Sequence, residues 1–125
     1  MLAAPNVPIR RYSDAVIAQL GDETFQAAVY ENMVSEEGNV RLVVTKVVLG
    51  EADAGIVYAS DVTPNLADEL LEIPIPDELN VRAEYPIVAL ADSERAESAK
   101  DFIDFVLSPE GQAILETWGF GGANR

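Results

Sequence analysis

Histidine and cysteine are both absent from this 125-residue chain. Without His there is no Ser-His-Asp triad and no His-ligated metal site. Without Cys there is no disulfide, thiolate nucleophile or zinc knuckle, although that absence is silent on compartment. Basic residues are scarce: eight Lys and Arg stand against 22 Asp and Glu, a formal net charge of −14. Nucleic acids and anionic membrane surfaces need a basic footprint, so this balance argues against both as partners. No apolar stretch reaches the roughly 18 to 20 residues of a membrane span. Met1-Leu2-Ala3-Ala4-Pro5 has neither a basic region nor an apolar run, so it does not read as a signal peptide. A phosphate-cradling loop is missing too, since Gly119-Phe120-Gly121-Gly122 lacks the Lys and helix that should follow.

What is present has a folded profile, with 49% hydrophobic and 24% charged residues. The length suits one domain with a core and is too short for two ordinary ones. Residues 7–21 predict a helix: Pro8 suits the first turn, Ile9, Tyr12, Val16 and Leu20 share a face, and Gly21 stands at C′. Residues 23–32 predict a shorter helix with Phe25, Ala28 and Val29 inward. Val40, Val43, Val44, Val47 and Val48 form a helical stripe, with Asn39 placed to cap its start and Gly50 its end. Valines favour strands, but the period here is 3.6 and not 2. Residues 54–59 read as a buried parallel strand. Residues 65–70 read as a short helix, 71–75 as a strand ended by Pro74 and Pro76, and 81–90 as a longer strand interrupted at Pro86. Two helices follow. One covers 94–107 and buries Ala99, Phe102, Ile103 and Val106; the other starts at Ser108-Pro109-Glu110 and ends before Gly119. Residues 121–125 read as a loose tail. Helices alternating with short strands indicate an α/β domain, and the alternation stops near Ala91-Asp92-Ser93, the best boundary candidate.

Two helix starts, Val7-Pro8-Ile9 and Asn39-Val40-Arg41, could each aim unpaired N–H groups at one small oxyanion. The dipole adds roughly half a positive charge there. Periodicity alone does not separate them from ordinary helix ends that hold water. Tyr58 ends an apolar run, where open α/β sheets place ligands, and its phenol can donate to an anion. A core Tyr with its hydroxyl at the rim satisfies the same pattern. Asp53 and Asp61 bracket the run, but chance pairs are common among 22 acidic residues, and no acid–base role is assigned. Glu36-Glu37 and Asp77-Glu78 read as solvated faces, and Trp118 and Phe120 as packing for the last helix. No nucleophile, base and oxyanion hole assemble, which points away from an enzyme.

The block Gly50-Glu51-Ala52-Asp53-Ala54-Gly55-Ile56-Val57-Tyr58-Ala59-Ser60-Asp61 resembles the periplasmic molybdate/tungstate-binding proteins of ABC importers, within the type II solute-binding superfamily. Ala4-Pro5-Asn6-Val7-Pro8-Ile9-Arg10-Arg11-Tyr12 is similar to that family's Pro-x-x-Val-Pro-x-Gly-x-Tyr segment, and Asn39-Val40-Arg41 to its Asn/Asp-Val-Arg helix start. Tyr85-Pro86-Ile87-Val88-Ala89-Leu90, the stretch from Phe102 to Leu115, and Trp118-Gly119-Phe120 are similar to its closing strand and C-terminal helices. The resemblance runs along essentially the whole chain.

The resemblance implies a non-enzymatic receptor that holds a tetrahedral oxyanion between two lobes with neutral donors. The matching donors are the N–H of Ile9, the N–H of Val40 and the hydroxyl of Tyr58, with Asn39 and Arg10 beside them as modulators. No cofactor and no protein-bound metal is implied, the only metal being that of the oxyanion itself. The family usually has Gly after the Ile9 position; Arg10 either obstructs the helix start or adds a cation beside it. The implied partners are molybdate or tungstate and the membrane subunits of an ABC importer, with a periplasmic or extracytoplasmic location for the parent protein. The implied fold is the second lobe of a type II binding protein. It comprises a short, mostly parallel sheet flanked by helices over residues 1–91, truncated at its N-terminus, and two C-terminal helices over 92–125 that would pack on the first lobe. That first lobe, its two Ser/Thr ligands and the signal peptide are expected to be missing, which makes the chain a fragment. The faces of Phe102, Ile103, Val106, Ile114 and Leu115 are then expected to self-associate into a homo-oligomer, a dimer. The alternative is a truncated, binding-protein-like interaction or regulatory domain with no transport role.

Overall fold

The computed structural model describes residues 1–66 and 68–123. The protein is α/β: among the described residues, five α-helices accompany a two-stranded parallel sheet. It divides into two compact units, Met1–Ala83 and Glu84–Arg125.

The first unit starts with strand β1 (Leu2–Ala3), followed by α1 (Pro8–Leu20), α2 (Glu23–Glu31), β2 (Glu36–Glu37) and α3 (Val40–Val48). β1 and β2 pair in parallel, Leu2 opposite Glu36 and Ala3 opposite Glu37, and Ala4 N–H donates to the Glu37 carbonyl at 2.7 Å. Pro8 starts α1, where its missing N–H costs nothing, after an extended Val7. The buried face of α1 is Ile9, Ser13, Val16 and Ile17. Leu20, expected on that face, is exposed, and Ile17 takes the inner position. Ser13 is tolerated inside because its hydroxyl donates to the Ile9 carbonyl at 3.0 Å.

Asp22 caps α2 by accepting the Phe25 N–H at 3.0 Å. No residue of α2 is buried. Phe25 and Ala28 are exposed and Val29 is half-buried, because α2 has α1 as its principal neighbour. The valine stripe does form α3, with Val43 and Val44 in the core and Val40, Val47 and Val48 half-buried. Gly50 closes it at φ +73°, its N–H bonded to the Val47 carbonyl and that of Glu51 to the Lys46 carbonyl. These two bonds form the Schellman arrangement, which needs a left-handed residue at C′.

Several expected strands are not ladders. Residues 54–58 form no ladder and none of them is buried; they run beside Met1, which accepts the Ile56 N–H at 3.4 Å and donates its N-terminal ammonium to the Ala54 carbonyl at 2.7 Å. The chain then tightens into a 3₁₀ turn, Ala59–Asp61. The expected helix at 65–70 includes Ala67, which lies outside the described residues; a 3₁₀ turn covers Pro64–Leu66. Residues 71–75 and 81–90 belong to no sheet. A strand persists only against a paired edge, and Pro74, Pro76 and Pro86 each remove a donor such an edge would use.

The second unit holds α4 (Ala96–Val106) and α5 (Pro109–Glu116). Ser108 caps α5, accepting the Gly111 N–H at 3.2 Å, with Pro109 at N1 as its sequence predicts. Tyr85 meets Phe120 edge to face, centroids 5.9 Å apart. No residue of α4 is buried: Ala99, Ile103 and Val106 are half-buried and Phe102 is 59% exposed. Among the described residues α5 is the principal neighbour of α4, and it leaves Phe102 and Phe105 exposed. Of the expected tail, Asn124 and Arg125 lie outside the described residues.

Candidate functional site

Ile9, Val40 and Tyr58, far apart in sequence, gather around one core cluster. Ala3, Ile9 and Val43 form its buried centre, and Met1, Val7, Val40, Val57 and Tyr58 pack against it. Each arrives by a local device. Ile9 follows Pro8 in the first turn of α1, where an N–H has no carbonyl four residues back within the helix; the neighbouring Arg10 N–H reaches the Val7 carbonyl at 3.0 Å. Val40 is the first residue of α3. Asn39 Oδ1 accepts the Leu42 N–H at 3.0 Å, so the cap takes an N–H other than that of Val40.

Tyr58 is carried by the segment 54–58, which lies close on α3 at Gly55. A Cβ at Gly55 would stand 2.6 Å from Val43 Cγ1, so the backbone approaches the helix there as only Gly allows. Beyond it, Tyr58 and Asp61 bond reciprocally: Asp61 N–H donates to the Tyr58 carbonyl at 2.9 Å, and Tyr58 N–H to Asp61 Oδ2 at 3.3 Å. The Tyr58 ring meets Tyr12 of α1 edge to face at 6.2 Å. Burial pushes the Asp61 carboxyl above its usual value, partly opposed by the Tyr58 N–H and the charge of Arg41. The arrangement brings the residues of two helix starts and one tyrosine into a single cluster, and helix-start N–H groups and a phenol are the kinds of donor that suit a small anion.

Arg10 turns back from α1 to the sheet. Its Nε donates to Asp14 at 2.8 Å, and its Nη1 donates to the Ala3 carbonyl at 3.1 Å and to Glu36. The guanidinium also lies 5.7 Å from the Tyr30 ring centroid, and the Tyr30 hydroxyl donates to the same Asp14 oxygen at 2.8 Å. The side chain is 12% exposed. Its pKa is raised above the ordinary value, first by the hydrogen bond to Glu36.

Glu37, expected on a solvated face, is buried. Lys46 of α3 reaches it at 2.9 Å and the Ser35 hydroxyl donates to it, so the carboxylate is compensated where it stands. The Ser35 bond and then the Lys46 bond hold its pKa below the ordinary range. The sequence reading missed Glu37, the Tyr12–Tyr58 contact and the Arg10 partners. Of these, the Arg10–Asp14 spacing of four residues was readable as a helical ion pair. Glu36 was not, because it comes from another element.

The family model for bacterial extracellular solute-binding proteins matches residues 1–121. Molybdate-binding protein ModA of Mycobacterium bovis is 32% identical over 124 residues, which are 96% of this chain and 43% of that protein. The protein of the same name from Mycobacterium tuberculosis matches equally, at 32% identity over 124 residues. Among solved structures, the substrate-binding domain ascribed to a molybdenum ABC transporter of Clostridium difficile superposes with a TM-score of 0.81 at 27% identity. That match covers 98% of this chain and 52% of the other. The chain thus spans about half the length of the relatives it matches.

Proposed function

We propose, because the chain belongs to the family of bacterial extracellular solute-binding proteins, that it provides one lobe of a receptor for a tetrahedral oxyanion, molybdate or tungstate, serving an ABC importer outside the cytoplasm. The observation that carries this reading is the convergence of Ile9, Val40 and Tyr58 on one core cluster. The ligands are the N–H groups of Ile9 and Val40 and the Tyr58 hydroxyl, and the protein supplies no metal and no cofactor of its own. Each donor to a charged acceptor contributes about 1.5–3 kcal/mol. Fixed dipoles of this kind need no net positive charge. The overall −14 instead acts at long range: it repels the incoming anion, so capture quickens as added salt screens it.

The relatives are about twice as long, which leaves room for an opposing lobe, and residues 92–125 are read as the part that would pack on it. Where no such lobe covers it, the apolar face of α4 and α5 is expected to pair chain with chain. Size-exclusion chromatography that finds only monomers at every concentration sinks that pairing. The binding reading is tested by calorimetry with molybdate and tungstate, with sulfate and phosphate as controls. Tyr58→Phe is expected to weaken molybdate binding by roughly ten- to a hundredfold. Absence of heat at millimolar molybdate refutes the receptor reading.

A further inference from the structure

Arg10 stands one residue beyond the proposed ligand Ile9, and its guanidinium is already committed. It crosses from the first turn of α1 back over the connecting turn to the Ala3 carbonyl at the end of β1, while also reaching Glu36 on β2 and Asp14 on α1. Three elements are tied through one planar group whose donors have a fixed fork geometry. Resting on the oxyanion reading above, we propose that Arg10 is a positioning residue: it fixes the start of α1 against the sheet so that the Ile9 N–H is aimed at the anion, and does not itself ligate the anion.

One physical consequence supports this role. The direction of a helix N–H follows the helix axis, and the Arg10–Ala3 bond joins that axis to the strand immediately before it.

Glu36→Gln separates a brace from a ligand. If Arg10 were a ligand, removing a carboxylate that competes for it would tighten molybdate binding. A brace that loses one of its anchors weakens it. Calorimetry with sodium molybdate on the whole chain is therefore run on wild type, Arg10→Met, Arg10→Lys and Glu36→Gln, alongside the amide spectrum of ¹⁵N-labelled protein. Arg10→Met is expected to weaken binding about tenfold, and Arg10→Lys and Glu36→Gln about threefold each, with the Ile9 amide resonance displaced in all three. Lys keeps the charge but not the fork, so it rescues only in part. Unchanged or tighter binding in Glu36→Gln, or an unmoved Ile9 resonance in that variant, overturns the proposal. If Arg10→Met does not fold, the two milder variants decide by the same criteria. If wild type gives no heat, the oxyanion reading fails; the Ile9 resonance in Glu36→Gln then decides alone whether the Arg10 brace sets that amide.

Discussion

The two units of the chain are built from helices of similar local quality, yet only one of them closes a core. In Met1–Ala83 the side chains of Leu2, Ala3, Ile9, Val16, Ile17, Val43 and Val44 are withdrawn from water. In Glu84–Arg125 only Gly111 is buried among the described residues, while Phe102, Phe105, Ile114 and Trp118 stay open to solvent. Both units have helices with side-chain caps, Asn39 and Ser108 among them. The contrast shows what caps and stripes do and do not accomplish. They decide that a helix forms and which face is apolar; a second layer decides whether that face is covered.

The contrast can be broken or sharpened by measurement. Ile17→Ala, in the closed core, is expected to cost about 2–5 kcal/mol in urea unfolding. Lys46→Met should cost less, and its effect carries a pH signature. The folded-state pKa of Glu37 is depressed, so its contribution is fully present above the ordinary Glu value and is lost as pH falls through the lowered one. The gap between wild type and Lys46→Met should therefore be widest near neutral pH and narrow in acid; a gap that widens in acid would contradict the Lys46–Glu37 assignment. Asn39→Ala and Ser108→Ala should each cost about 1 kcal/mol, because the caps are equivalent whatever the state of the core above them. A clear inequality would mean that α5 does not fold cooperatively with its unit. Smallest of all, Phe102→Ala should stay within about 0.5 kcal/mol in dilute protein. A cost that grows with protein concentration would show this face covered by another chain.

The same division explains what the sequence revealed. α1, α3 and α5 could be located from Pro8, the valine stripe and Ser108-Pro109, because each signal lies within one or two turns of the helix it predicts. The strands expected at 71–75 and 81–90 failed because a strand is defined by a neighbour, and an apolar run does not name its neighbour. Leu20 and Phe25 were misplaced for a related reason: a helical face about 100° wide leaves the choice of inward residues to what packs on it. At the candidate site, the helix starts and Tyr58 could be read as separate groups, and the structure adds that they share one cluster. Glu36 and Glu37 looked like a solvated pair, but adjacent strand residues point to opposite sides. One meets Arg10 and the other Lys46.

The pairing of β1 with β2 also has a meaning in time. Leu2 faces Glu36 and Ala3 faces Glu37, with the whole of α1 and α2 between them in the chain. Helical turns form within about a microsecond, but a parallel pair must first close the loop that separates its strands. This two-residue sheet is therefore expected to form late in folding, after the helices that surround it have begun to form. Its amides, including that of Ala4 bonded to Glu37, are expected to exchange with solvent only when the whole first unit opens, whereas those at the end of α2 exchange by local fraying.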